Sequence, residues 1–206
     1  RQSGVPASMV DSWHSRAEAV RGLMALDQQT ALRAVAGLPA AARSCGYGEN
    51  AVAALEELAL RYPEDRGVLV CALLQHMVLQ PGQAIDVQPG LVHSYHRGLG
   101  AEAMTSSDNV LRLGLTSKEV HVEQALTALR DLDDEPRFPF EVSVVRDAQT
   151  LLPASFRIVL PIDGAVDIAC GSEQMSLGVG LAAVMGEDEP GCTVTVRGSA
   201  VVAAAI

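Results

Sequence analysis

The chain has 206 residues, 49% of them hydrophobic, enough for one large domain or two small ones around a sizeable core. Its net charge is -10 and no two basic residues are adjacent, which argues against nucleic acid or an anionic membrane as partner and favours a small soluble ligand. No stretch of about 18 uncharged apolar residues occurs, and residues 1–6 do not resemble a signal peptide, so the expected location is cytoplasmic.

Cys45, Cys71, Cys170 and Cys192 are scattered without C-x-x-C spacing, and the expectation is four reduced thiols, mostly buried as small hydrophobes. Fourteen of the fifteen basic residues are Arg, and Lys118 is the only lysine. A lone lysine in so arginine-biased a chain points to a site that needs a compact ammonium rather than a planar guanidinium.

Residues 8–62 are rich in Ala and Leu with helical spacing, in three segments. The first follows a capping pair, Ser8 and Asp11, and runs to about Leu26. The second opens at Asp27 and is expected to end near Gly37-Leu38-Pro39, where proline breaks the helical pattern. The third begins near Asn50, presents Val52, Leu55, Leu58, Ala59 and Tyr62 on one face, and stops at Pro63.

After Pro63 short apolar runs alternate with turns. Residues 68–79, 84–87 and 91–96 read as strands separated by Pro81-Gly82 and Pro89-Gly90, a spacing that suggests a β-sandwich or jelly roll. Residues 117–132 return to helical spacing, and 131–136 read as an acidic linker. A second β set follows at 140–145, 156–160, 165–170, 178–184 and 192–202, with Asp163-Gly164 as a hairpin signal.

Between Pro81 and Lys118 the chain concentrates reactive side chains: His93, Tyr95, His96, Glu102, Asp108, Arg112 and Lys118. In extended backbone, residues three apart face opposite ways, so His93 and His96 do not form one metal site, whereas His93 and Tyr95 share a face. A single histidine of this kind is more often a hydrogen-bonded structural residue than a ligand, and zinc needs about four donors. His14, His76, His96 and His121 read as structural or surface residues.

The run from Ser107 to Lys118, S-D-N-V-L-R-L-G-L-T-S-K, resembles the signature S-D-N-x-x-R-x-G-L-T-P-K of the type I phosphomannose isomerases. Pro81-Gly82-Gln83-Ala84 resembles that family's P-G-E-A, Val92-His93-Ser94-Tyr95 its P-H-A-Y, and Gly100-Ala101-Glu102 its G-V-E, at matching intervals throughout 81–118. Tyr62-Pro63-Glu64-Asp65 resembles its Y-P-G-D. The departures Val92, Ser94 and Ser117 replace no group that could ligate a metal or move a proton, and Gln83 stands where the family has Glu.

The resemblance implies a mainly β, bicupin (jelly-roll β-sandwich) protein with an α-helical insertion. Its expected divisions are a helical subdomain at 1–62, the C-terminal part of a first, catalytic cupin at 63–118, a helix and linker at 119–136, and a second cupin at 137–206. It implies a zinc-dependent aldose-ketose isomerase that interconverts mannose 6-phosphate and fructose 6-phosphate through an enediol. His93 is the implied zinc ligand, its co-ligands being a Gln, a His and a Glu expected in an N-terminal half that lies outside this chain. Arg112 and Asp108 are the implied catalytic residues, and Lys118, Glu102 and Tyr95 line the substrate pocket. Independently of any family, such an isomerisation needs a base, a group to stabilise an oxyanion and an anchor for phosphate. The chain alone is expected to be inactive. The alternative expectation is a non-catalytic cupin that binds a sugar phosphate or another protein.

Overall fold

The computed structural model describes residues 15–107, 109–130 and 138–206, which divide into two compact units. The first contains helices α1 (Arg16–Met24), α2 (Gln28–Ser44), α3 (Glu49–Arg61), α4 (Gly67–Cys71) and α5 (Val122–Thr127). Among the described residues no helix is long and apolar enough to cross a membrane.

Polar side chains start the first two helices. Ser15 accepts the Glu18 N–H at 3.2 Å, and Asp27 accepts the Thr30 N–H at 2.9 Å, each satisfying a donor that the first helical turn leaves unpaired. Thr30, through its side chain first and then its N–H, also holds the Asp27 carboxyl below its ordinary pKa, because both favour the charged form. The expected caps Ser8 and Asp11 lie outside the described residues.

Helix α2 does not stop at Pro39 as the sequence suggests but continues to Ser44. Proline removes one backbone bond, yet the following turn buries Ala41 and Ala42 in register with Ala34, Val35 and Leu38, and that burial offsets the loss. Helix α3 buries Val52, Leu55 and Leu58 with Ala59 and Tyr62 packed against them, the face its spacing predicts.

The strands expected in residues 68–96 are not formed. Residues 67–71 make the short helix α4, and the described residues between Ala72 and His121 contain no strand. A continuous apolar run such as Val68-Leu69-Val70 has no period that separates a strand from a buried helix. Here Val68 and Leu69 enter the core formed by α2 and α3, while Val70 packs with Val20 and Leu126. Beyond Cys71 the backbone joins no ladder among the described residues. Arg21 and Glu123 tie α1 to α5 through bonds of 2.9 and 3.1 Å.

The second unit is an antiparallel six-stranded sheet: β1 (Phe140–Val145), β2 (Gln149–Leu151), β3 (Phe156–Cys170), β4 (Glu173–Gly178), β5 (Ala183–Gly186) and β6 (Cys192–Ala205). The order is β1-β6-β3-β4, with β2 also on β6 and β5 also on β3. Strands β3 and β6 pair along nearly their whole length and alternate buried and exposed side chains, which gives a core of Val159, Val166, Ile168, Val194, Val196 and Val202 with Leu177 and Met185.

Three expectations change in this unit. Asp163-Gly164 is not a hairpin: the backbone runs through it within β3, and only the register shifts between Pro161 and Asp163. Gly164, at φ +74, lies against β6 so closely that a Cβ there would sit 1.7 Å from the Arg197 carbonyl oxygen. The strand expected at 178–184 is broken, since residues 179–182 connect β4, which ends at Gly178, to β5, which begins at Ala183. The register also sets Cys170 opposite Cys192 with Cα atoms 4.4 Å apart, and the two form a disulfide, so not all four cysteines are reduced. Cys71 fits the expectation of an inert buried thiol, its pKa pushed up to about 11 by burial, whereas Cys45 is exposed.

Candidate functional site

His93 and Tyr95 lie in the extended stretch that follows the Pro89-Gly90 turn, where the Leu91 N–H closes on the Gln88 carbonyl at 3.2 Å. Their rings meet edge to face with centroids 5.6 Å apart, so the two residues do share a face. His96 points elsewhere and packs its ring against His76 at 5.4 Å. Burial, and then the neighbouring His76, holds His96 below its ordinary pKa, which keeps it neutral. His76 has its Nε2 buried with no hydrogen-bond partner.

Both His93 and Tyr95 are exposed, Tyr95 at 68%. The Nδ1 of His93 lies 3.1 Å from the Leu91 carbonyl oxygen. An Nδ1–H donated to that oxygen leaves the Nε2 lone pair outward and free, which is the arrangement common in metal-ligating histidines. His93 therefore fits the part of a zinc donor. It is a single donor, because among the described residues no group of three or more His, Cys, Asp and Glu is placed to hold a metal ion.

The segment carrying Arg112 and Lys118 is a loop with Gly114 at φ +132 and Leu115 at φ +55 in its middle. Arg112 is half-buried and donates from a terminal nitrogen to the Val110 carbonyl at 3.2 Å. Lys118 is exposed, and its backbone N–H bonds to the Thr116 hydroxyl at 3.1 Å. Ser107 and Asn109 hydrogen-bond to each other at the start of the run. Asp108 lies outside the described residues, and Glu102 is an exposed member of the second unit.

One residue of this region went unremarked in the sequence beyond its place in a motif. Asp65 joins the Leu115 amide to the start of α4. An acidic residue two after the helix-stopping Pro63 and two before a glycine was the available signal.

No protein-family model matches the chain. It is 31% identical over 159 residues to the mannose-6-phosphate isomerase of Escherichia coli, an alignment covering 66% of this chain and 40% of that protein. It is 41% identical over 68 residues to a probable mannose-6-phosphate isomerase of Caenorhabditis elegans, covering 33% of this chain and 16% of the relative. The apo crystal structure of the Salmonella typhimurium mannose 6-phosphate isomerase superposes with a TM-score of 0.67 at 20% identity, over 97% of this chain and 57% of that one. The structure of the same enzyme bound to its substrate F6P and zinc gives a TM-score of 0.65 at 18% identity, over 97% of this chain and 56% of that one. The chain thus spans between about one sixth and three fifths of the length of these proteins. In sequence and in fold the chain is similar to the mannose-6-phosphate isomerases over part of their length.

Proposed function

We propose that this chain carries part of the active site of a zinc-dependent aldose-ketose isomerase that interconverts mannose 6-phosphate and fructose 6-phosphate. The observation that carries the reading is the run from Ser107 to Lys118, which follows the family signature at eight of its nine specified positions, all but Ser117, and places the only lysine on the motif's lysine. The alignment with the Escherichia coli isomerase supports it.

In this reading the Nε2 of His93 is one zinc donor, and the other donors come from residues outside this chain. Zinc, when bound, polarises the sugar oxygens. The Arg112 guanidinium faces the negative charge that grows on oxygen as the C2 proton leaves, and Asp108, four residues before it, is its catalytic partner. Lys118 meets the phosphate as a compact cation. Tyr95 and Glu102 line the sugar. The fold is a bicupin in which residues 63–118 complete the first, catalytic cupin beside a helical subdomain at 1–62, and 137–206 form the second, with 119–136 between them. The backbone of residues 75–96, which forms no strand and leaves Met77, Val78, Leu79 and Ile85 exposed, suits segments whose ladder partners lie outside the described residues. Small phosphorylated sugars are its partners, and the cytoplasm its location.

The test is turnover of mannose 6-phosphate by the full-length protein and by its Arg112→Ala variant. The variant is expected to lose at least about a hundredfold in turnover while keeping its fold and zinc content, the scale of removing one preorganised charge from a transition state. Turnover near that of the unmodified protein would remove Arg112 from the mechanism. Binding of the sugar phosphate without conversion by the unmodified protein would identify a non-catalytic cupin instead.

A further inference from the structure

Asp65 uses both oxygens of its carboxylate on backbone amides from distant parts of the chain. Oδ1 accepts the Gly67 N–H at 2.7 Å, at the first residue of α4. Oδ2 accepts the Leu115 N–H at 2.6 Å, fifty residues away and in the middle of the signature loop. The turn that carries Asp65 is itself anchored: Arg66 donates to the Leu26 carbonyl at 2.7 Å, and Gln28 to the Glu64 carbonyl at 3.3 Å.

The packing at this junction leaves no slack. A Cβ on Gly114 would lie 2.5 Å from Asp65 Oδ1 and 2.7 Å from the Gly67 Cα, so the loop backbone passes directly over the start of α4. Leu115, a non-glycine residue at φ +55, keeps an unfavourable backbone conformation while its side chain packs on the helical core. An unfavourable conformation of this kind persists only where the surroundings fix it, and the Asp65 bond to the Leu115 amide is one such constraint. Both Arg112 and Lys118 lie three residues from Leu115, on either side of it.

We propose that Asp65 is a positioning residue, a two-pronged carboxylate clamp that fixes the loop bearing Arg112 and Lys118 on the rigid helical unit. The role rests on the isomerase reading, since it matters for turnover only if those two side chains meet substrate. A carboxylate is required because both prongs must accept a bond. Asn would turn an NH₂ group toward one of the two N–H donors.

The experiment compares Asp65→Asn with the unmodified full-length protein. Turnover per zinc-loaded molecule is expected to fall about ten- to a hundredfold, the cost of misplacing reacting groups by about an ångström, with zinc content unchanged. Tryptic cleavage after Arg112 and Lys118 is expected to accelerate, while cleavage after Arg146 in the other unit stays constant. Gly114→Ala, which pushes the same junction apart without touching a charge, should reproduce both effects. A lower melting temperature with unchanged kcat and KM would make Asp65 merely structural and overturn the proposal, as would unaltered proteolysis after Arg112 and Lys118. If neither variant folds, hydrogen exchange in the unmodified protein decides. Protected Gly67 and Leu115 amides support the clamp, and exchange as fast as in an exposed loop refutes it. Absence of isomerisation by the unmodified protein would sink the functional reading, yet proteolysis and exchange would still report on the clamp.

Discussion

Arg157 has no exposed surface and carries a charge at a core position of β3. Its terminal nitrogens donate to the carbonyls of Gly186 at 2.9 Å, Glu189 at 3.1 Å and Pro190 at 2.8 Å, so the guanidinium knots together the acidic turn between β5 and β6. Replacement by Leu keeps bulk but leaves those oxygens without a donor, and Arg157→Leu is expected to destabilise the sheet unit by about 3 kcal/mol. Chemical denaturation would measure it, and a loss under about 1 kcal/mol would show that the turn resolvates freely. The strand period placed residue 157 on the same face as Val159, so its burial was open to inference. Which carbonyls it would meet was not, because they belong to a turn far along the chain. The site residues divide in the same way. That His93 and Tyr95 share a face and His96 does not follows from local backbone geometry, and the ring contacts agree. The bond from Asp65 to Leu115 spans fifty residues and is visible only in the folded chain.

At the scale of elements, periodicity was a good guide to the helices and a poor one to their ends. The pattern on α3 matches the buried residues, whereas Pro39 was read as a stop that α2 ignores. Because Pro39 supplies no N–H to the Val35 carbonyl, Pro39→Ala should restore one helical bond and relieve the ring, stabilising the helical unit by about 1–3 kcal/mol. A rise in melting temperature checks this. No rise would mean that the helix is already bent to accommodate the ring. The strand errors have one origin: strands are joint properties of two segments, so an apolar run without a partner ladder can fold as α4 or stay extended, and Asp163-Gly164 can be absorbed within β3 as a register shift.

Over the whole molecule, the described residues form a helical unit that carries the signature loop and an antiparallel sheet unit closed by the Cys170–Cys192 disulfide. The chemistry proposed for the first unit needs more zinc donors than His93, and none of the described residues assembles a set of three. A lone imidazole holds zinc far more weakly than a preformed cage of four ligands. On the proposed reading, in which further zinc donors lie outside this chain, the decisive measurement is conversion of mannose 6-phosphate to fructose 6-phosphate, with zinc supplied, by the full-length protein and by residues 1–206 in parallel. Conversion by the full-length protein and none by residues 1–206 is the predicted result. Conversion by residues 1–206 alone would place a complete site within them, and conversion by neither would contradict the isomerase reading altogether.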